Sequence, residues 1–185
     1  FLFSNTSYAL RVPLAGDRDM REELEKLRKP ISIGYSEYLN GKVVAIQGIG
    51  GTGGLLLQPL LEAGAIVIAS DVDAAKIVLA MERFNGYINS KKLFLFQENR
   101  LPTGAYTSKI MNPIKAFSAE LRDMGIDHID IFSPCAVGPV VNPETINELK
   151  EAGVKVICGS CNNVTEDKER DNELLKKAGI IYVPD

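Results

Sequence analysis

The sequence contains few of the features that mark secreted, membrane or nucleic-acid-binding proteins. It has only three cysteines, and this odd number favours a reducing compartment over a disulfide framework. No apolar run approaches the ~20 residues that span a bilayer, and no signal peptide is evident. A net charge of −3 and a pI near 5.3, without a basic stripe, argue against a nucleic-acid partner. We therefore expect a protein of the cytoplasm or an organellar matrix that is not secreted.

The chain also lacks an initiating methionine, since it begins at Phe1. We therefore expect that it has been trimmed or is a piece of a longer protein. Its 185 residues, 45% of them hydrophobic, suffice for one domain with a sizeable core.

Short apolar segments rich in β-branched residues alternate with amphipathic segments from residue 43 onward. They predict six strands, at 43–47, 65–70, 92–96, 128–132, 154–158 and 180–183. Glycines end the predicted helices between them. This pattern predicts an α/β fold with a doubly wound parallel sheet of the Rossmann type.

The first 40 residues do not share this alternation. Their one amphipathic segment predicts a charged helix over about 17–29. We predict an N-terminal arm, or the remnant of a preceding domain, at residues 1–40, and a Rossmann-type domain at 41–185. The stretch around 86–126 is long enough to contain an insertion.

Local signals predict several helix ends and one bend. Asn112 and Asn142, each followed by proline, predict helix starts, and Thr165 predicts the cap of the last helix. The segment after residue 73 places Ile77, Met81 and Phe84 on one face and ends at Gly86. Pro59 lies inside the first helix and should bend it near Leu55.

Three glycines form a G-x-G-x-x-G motif between the first strand and its helix, the context in which this pattern binds dinucleotides. Gly48 permits a tight turn, Gly50 lets the backbone approach a pyrophosphate, and Gly53 lets the helix pack against the strand. The helix N-terminus adds free N–H groups and partial positive charge. The same glycines could also serve the turn alone.

An acidic residue follows the second predicted strand. There, Asp71 can accept hydrogen bonds from the adenosine ribose hydroxyls and would repel a 2′-phosphate. The sequence thus favours NAD over NADP, although Lys76 weakens this preference.

Three segments in order carry a family resemblance: "LNGKVVAIQGIGGTGG…LLEAGAIVIASDVD", "DIFSPCAVGPVVNPETINELK" and "VICGSCNN…LLKKAGIIYVPD". Together they resemble the nucleotide-binding domain of the glutamate/leucine/phenylalanine/valine dehydrogenase family, with the leucine dehydrogenase branch closest. The resemblance covers about residues 40–75 and 127–185. It implies an oxidoreductase that uses NAD(P) to deaminate an L-amino acid to a 2-oxo acid. NAD, an amino-acid substrate and large homo-oligomers are the implied partners.

The resemblance also implies which residues bind the cofactor. The candidates are Gly48, Gly50, Gly51, Thr52, Gly53, Asp71, Val72, Cys135, Ala136 and Asn162. The turn would contact the pyrophosphate, and Asp71 and Val72 would contact the adenosine. Cys135 and Ala136 would lie beside the nicotinamide ribose, and Asn162 would hold the carboxamide.

Cys158 and Cys161 form a lone C-x-x-C pair, for which three uses are open. A redox pair should open a helix, but this pair ends a strand. A metal site would need Cys135 and His128 as further ligands. The resemblance favours a turn that the family forms without thiols, so we predict no metal. His128, the only histidine, is expected to be structural.

Departures from the family pattern leave two hypotheses open. The family's catalytic lysines and aspartate belong to a preceding domain, so we expect no catalytic residue in this chain. Gly51 replaces the family's asparagine, and Pro139 replaces a glycine. The chain is either the NAD-binding domain of an amino-acid dehydrogenase or a non-catalytic subunit of a larger complex derived from one.

Overall fold

A computed structural model describes residues 38–98 and 118–183, which form one parallel sheet with helices on both faces. The strands are β1 Val43–Gln47, β2 Ile66–Asp71, β3 Leu93–Gln97, β4 Ile131–Pro134, β5 Val156–Cys158 and β6 Ile181–Val183. Their order in the sheet is β3-β2-β1-β4-β5-β6. Every neighbouring pair is parallel, so the predicted Rossmann-type sheet is confirmed.

Helices connect successive strands. They are α1 Gly53–Glu62, α2 Ala74–Arg83, α3 Asn85–Asn89, α4 Ser118–Asp123, α5 Pro143–Glu151 and α6 Lys168–Ala178. The chain moves from β1 outward to β3 and then returns to place β4 beside β1. The direction of winding therefore reverses between β1 and β4, and such a reversal opens a crevice at the carboxyl ends of the strands.

The two faces of the sheet bury separate apolar clusters. Successive side chains of β1 alternate, so Val44 and Ile46 pack on the face of α1 and α2. Val43 and Ala45 pack on the opposite face, beneath α5 and α6. Since both faces are covered, β1 is an uninterrupted apolar run rather than an alternating one. Each fully buried large side chain contributes roughly 1.5–3 kcal/mol.

Several helix ends follow the local signals. Asn142 caps α5, where its side chain accepts a hydrogen bond from the Thr145 N–H, and the Thr145 side chain accepts one from the Asn142 N–H. Gly179 follows α6 with a φ of 74°, a conformation that glycine adopts without strain. Helix α1 continues through Pro59 to Glu62.

Two other predicted helix signals were wrong. Asp167, not Thr165, caps α6, because its side chain accepts the Arg170 N–H, while Thr165 forms a β-bridge with Val141. The predicted face of Ile77, Met81 and Phe84 was wrong at one position: Ile77 and Phe84 are buried, but Met81 is exposed and Ala80 is buried instead.

Other boundaries also shift. Gly86 lies inside α3 rather than ending the preceding helix. The fourth strand begins three residues late, because the Asp130 side chain accepts the Val43 N–H and sheet pairing starts only at Ile131. The predicted helix over 17–29 and the helix start at Asn112 lie outside the described residues.

Candidate functional site

A cleft of about 230 Å³ lies at the carboxyl ends of β1 to β4. Its lining combines the glycine turn, acidic side chains and one wall from the segment after β4. The lining residues are Gln47, Gly48, Gly50, Ser70, Asp71, Val72, Asp73, Lys76, Glu98, Cys135, Ala136 and Val137. The cleft therefore occupies the place where open α/β sheets bind ligands.

Two glycines of the motif are required by packing. Gly48 has a φ of 89°, and a Cβ there would lie 2.9 Å from the Ala136 nitrogen. A Cβ on Gly53 would overlap the Gly48 carbonyl oxygen and come within 3.0 Å of the Cys135 Cβ. These glycines hold the turn and α1 against β4, so the fold explains them without a ligand.

Gly50 has no such explanation. Its φ is not positive, and the nearest neighbour of a built Cβ is the Lys76 Nζ, at 3.8 Å. Gly51 has nothing within 4 Å. Gly50 thus presents bare backbone to an open cleft. In addition, the Thr52 side chain makes no capping bond to α1, so no side chain covers the helix N-terminus, whose partial positive charge favours an anion.

Asp71 connects the end of β2 to the glycine turn. Its side chain is buried, and Oδ2 accepts a hydrogen bond of 2.9 Å from the Ile49 N–H. Oδ1 accepts another, also of 2.9 Å, from the Asp73 N–H. A carboxylate has about four acceptor positions, so Asp71 can hold the turn and also accept from a ligand hydroxyl. Sequence reasoning found this residue but not its structural bonds.

Lys76 carries the only positive charge among the described residues that line the cleft. Its Nζ lies 3.4 Å from the Asp71 Oδ2, and its side chain is 42% exposed. Asp71 and Asp73 outnumber it, which makes the cleft net negative. This balance disfavours a ligand that brings an additional phosphate beside Asp71.

The sequence analysis missed a polar row on the floor of the cleft. Gln47, Ser70 and Glu98 stand at the ends of β1, β2 and β3 and are all at least nine-tenths buried. The Ser70 hydroxyl donates to a Glu98 carboxylate oxygen at 2.5 Å. The Gln47 Oε1 has no hydrogen-bond partner among the described residues. The sequence did contain a signal for this row, because each of the three polar residues stands at the end of an otherwise apolar strand.

The predicted site residues separate into groups. Gly48, Gly50, Asp71 and Val72 line the cleft together with Cys135 and Ala136 of the opposite wall. Gly51 and Thr52 are exposed beside it, and Gly53 is buried inside α1. Asn162 is exposed in the turn after β5 and does not line the cleft.

Both cysteines of the C-x-x-C pair are buried: Cys158 is the last residue of β5, and Cys161 lies in the turn that follows it. Burial raises the pKa of Cys158 to about 11 and raises the pKa of Cys161 as well. The Cys161 thiol donates to the Gly138 carbonyl at 3.1 Å. At neutral pH both therefore stay protonated, the unreactive form. No group of His, Cys, Asp or Glu among the described residues could hold a metal ion.

His128 lies before β4, at the amino-terminal ends of the strands, whereas the cleft lies at their carboxyl ends. Its side chain is half exposed, and Nδ1 lies 2.8 Å from the Asp127 Oδ1. It does not line the cleft. No described helix combines the length and apolarity needed to cross a membrane.

Comparisons with known proteins agree on one family. The model of the Glutamate/Leucine/Phenylalanine/Valine dehydrogenase family matches residues 27–185. Leucine dehydrogenase of Thermoactinomyces intermedius is 32% identical over 147 residues, which cover 80% of this chain and 31% of that protein. Phenylalanine dehydrogenase of the same organism is 35% identical over 81% of this chain and 32% of its own length. The chain thus spans about a third of the length of these relatives.

A solved structure shows the same similarity. The crystal structure of L-tryptophan dehydrogenase from Nostoc punctiforme superimposes with a TM-score of 0.56 and 27% identity. The superposition covers 83% of this chain and 37% of that one.

Proposed function

Because the chain belongs to the Glutamate/Leucine/Phenylalanine/Valine dehydrogenase family, we propose that it is the NAD-binding domain of an L-amino-acid dehydrogenase. The parent enzyme would oxidise an amino acid to a 2-oxo acid and ammonia. The predicted family membership is confirmed by the family match and the relatives. The cofactor, the substrate class and the site residues are parts of the proposal.

One observation carries the cofactor assignment: Gly50 is a glycine that the fold does not need. A side chain would fit there without strain or overlap, and it would project toward the cleft. Close approach of a ligand to the backbone is the remaining reason for a glycine at that position. The neighbouring N-terminus of α1 favours a negatively charged group, as a diphosphate is.

The charges of the cleft support NAD over NADP. Asp71 can accept a hydrogen bond from an adenosine ribose hydroxyl, while Asp71 and Asp73 repel a 2′-phosphate. Lys76 offsets part of this repulsion but is paired with Asp71.

Bound NAD would supply the chemistry by accepting a hydride from the substrate. The residues of this chain would bind and orient it. The turn at Gly48–Gly53 would hold the diphosphate, and Cys135 and Ala136 would form the wall beside the nicotinamide ribose. We place the groups that act on the amino acid outside this chain.

Calorimetric titration of the full chain with NAD and NADP tests the proposal. We expect NAD to bind more tightly. Gly50→Ala should weaken NAD at least about tenfold, because a methyl group would take the space of the diphosphate. The free energy of unfolding should change by less than about 0.5 kcal/mol, since the new Cβ has no neighbour closer than 3.8 Å.

Gly86→Ala is the matched control, because Gly86 also has nothing within 4 Å but lies in α3. It should leave NAD affinity unchanged and raise stability by up to about 1 kcal/mol, because alanine favours a helix more than glycine does. A folded chain that binds neither dinucleotide would overturn the proposed function.

A further inference from the structure

The order of the strands suggests a path for the adenosine half of the cofactor. The glycine turn follows β1, Asp71 ends β2, and Glu98 follows β3. These three strands are consecutive neighbours in the sheet, spaced about 4.8 Å apart. In the proposed binding mode the diphosphate lies at β1 and the ribose at β2. The base, which is attached to the far side of the ribose, then lies over the end of β3.

Glu98 is held firmly at that point. Its N–H donates to the Asp71 carbonyl at 2.9 Å, so its backbone continues the β2–β3 ladder beyond Gln97. Its side chain is only 5% exposed and lines the cleft. The Ser70 hydroxyl donates to one carboxylate oxygen, and this bond fixes the orientation of the carboxylate.

The floor of the cleft presents hydrogen-bond acceptors on this side. Glu98 supplies carboxylate oxygens, and the buried Gln47 Oε1 has no partner among the described residues. Gln47 and Ser70 are directly paired in the β1–β2 register, so the acceptors form one row. Such a row binds groups that carry N–H or O–H donors and disfavours groups that present only lone pairs.

We propose that Glu98, oriented by Ser70, recognises the amino group of the adenine base. This inference rests on the proposed NAD site. Adenine carries an amino donor at its 6-position, whereas hypoxanthine carries a carbonyl oxygen at the same place. Glu98 therefore selects adenine by accepting a hydrogen bond from its 6-amino group, which the carbonyl oxygen at the 6-position of hypoxanthine cannot donate.

The test compares NAD with nicotinamide hypoxanthine dinucleotide by calorimetry on the full chain. We expect NAD to bind about tenfold more tightly, the effect of one additional hydrogen bond. Glu98→Gln should shrink this ratio, because the amide can also donate to the hypoxanthine oxygen. Glu82→Gln, an exposed change on α2, should leave the ratio unchanged.

The outcomes separate the two claims. If the unchanged chain binds both dinucleotides equally well, the role of Glu98 is wrong and the NAD site stands. If Glu98→Gln folds but keeps the full preference for NAD, the inference fails in the same way. If the unchanged chain binds neither dinucleotide, the proposed function fails and the inference fails with it. The first comparison needs no variant to fold.

Discussion

Two glycine-containing turns follow β1 and β5 at the carboxyl ends of the strands, and they differ in how completely they are packed. The turn after β1 leaves Gly50 and Gly51 without close neighbours. In the turn after β5, a Cβ on Gly159 would overlap the Pro134 carbonyl oxygen and lie 2.7 Å from the Pro134 nitrogen. The turn after β1 is therefore called the open turn, because Gly50 and Gly51 have free space beside them. The turn after β5 is called the closed turn, because atoms of Pro134 occupy the space beside Gly159.

Hydrogen bonds secure both turns, so the contrast lies in the packing: in the first turn the Ile49 N–H donates to the Asp71 carboxylate. In the second turn, the Cys161 N–H donates to the Pro134 carbonyl and the Cys161 thiol donates to the Gly138 carbonyl. The turn is therefore secured against the segment after β4. Glycine alone does not indicate a ligand site. A glycine that lines a cleft and has no packing or φ requirement, as Gly50 does, is the informative one.

The largest expected effect is the loss of stability when a methyl group is added to Gly159 in the closed turn. Gly159→Ala should lower the free energy of unfolding by about 3 kcal/mol, because the new methyl group meets backbone atoms that cannot move aside. Urea denaturation followed by circular dichroism measures the change. Gly51→Ala, in the open turn, should change stability by less than about 0.5 kcal/mol. Equal losses in the two variants would remove the contrast between the turns.

Alkaline pH should lower the free energy of unfolding through Cys158, the last residue of β5 before the closed turn. The pKa of Cys158 is about 11 in the folded chain, above its ordinary value of 9.0, because burial disfavours the thiolate. The folded state then keeps a proton that the unfolded state releases, so stability falls as pH rises from 9 to 11. We expect a loss of roughly 2 kcal/mol at pH 11.

Cys158→Ala isolates this contribution. Urea denaturation at several pH values should show a shallower decline above pH 9 in the variant than in the unchanged chain. Parallel curves for the two proteins would mean that Cys158 does not titrate with a raised pKa.

The smallest expected effect on stability concerns the charge beside the open turn. Lys76→Met removes a half-exposed ion pair with Asp71, and such pairs contribute less than about 1 kcal/mol. Cofactor preference should respond more, because the variant loses the only cation among the described lining residues. We expect NADP affinity to fall more than NAD affinity in calorimetric titrations. If NAD affinity and NADP affinity fell equally, Lys76 would instead act on the diphosphate, which both dinucleotides contain.

Much of the fold was predictable because its signals are local. The apolar segment at 43–47 and the glycine motif after it predicted β1 and the turn at their observed positions. Errors arose where tertiary contacts compete with local signals. Thr165 has the chemistry of a helix cap, but its bridge to Val141 places the helix start two residues later, at Asp167.

The candidate site was predictable only in part. Gly48, Gly50 and Asp71 belong to a recognisable spacing, and the structure places them at one cleft. Gln47, Ser70 and Glu98 belong to no such spacing, because they are distant in sequence and meet only through the sheet. Asn162 was inferred from the resemblance and lies outside the cleft.

The amino-acid sequence by itself determined the alternation of strands and helices, the glycine turn and the membership of the family. These depend on periodicity and on motifs within short segments, which nearest neighbours along the chain enforce. The tertiary structure decided which glycines are packed and which are open, and it aligned the polar row across three strands. Those properties depend on what lies opposite each residue in the sheet, and only the strand order specifies that.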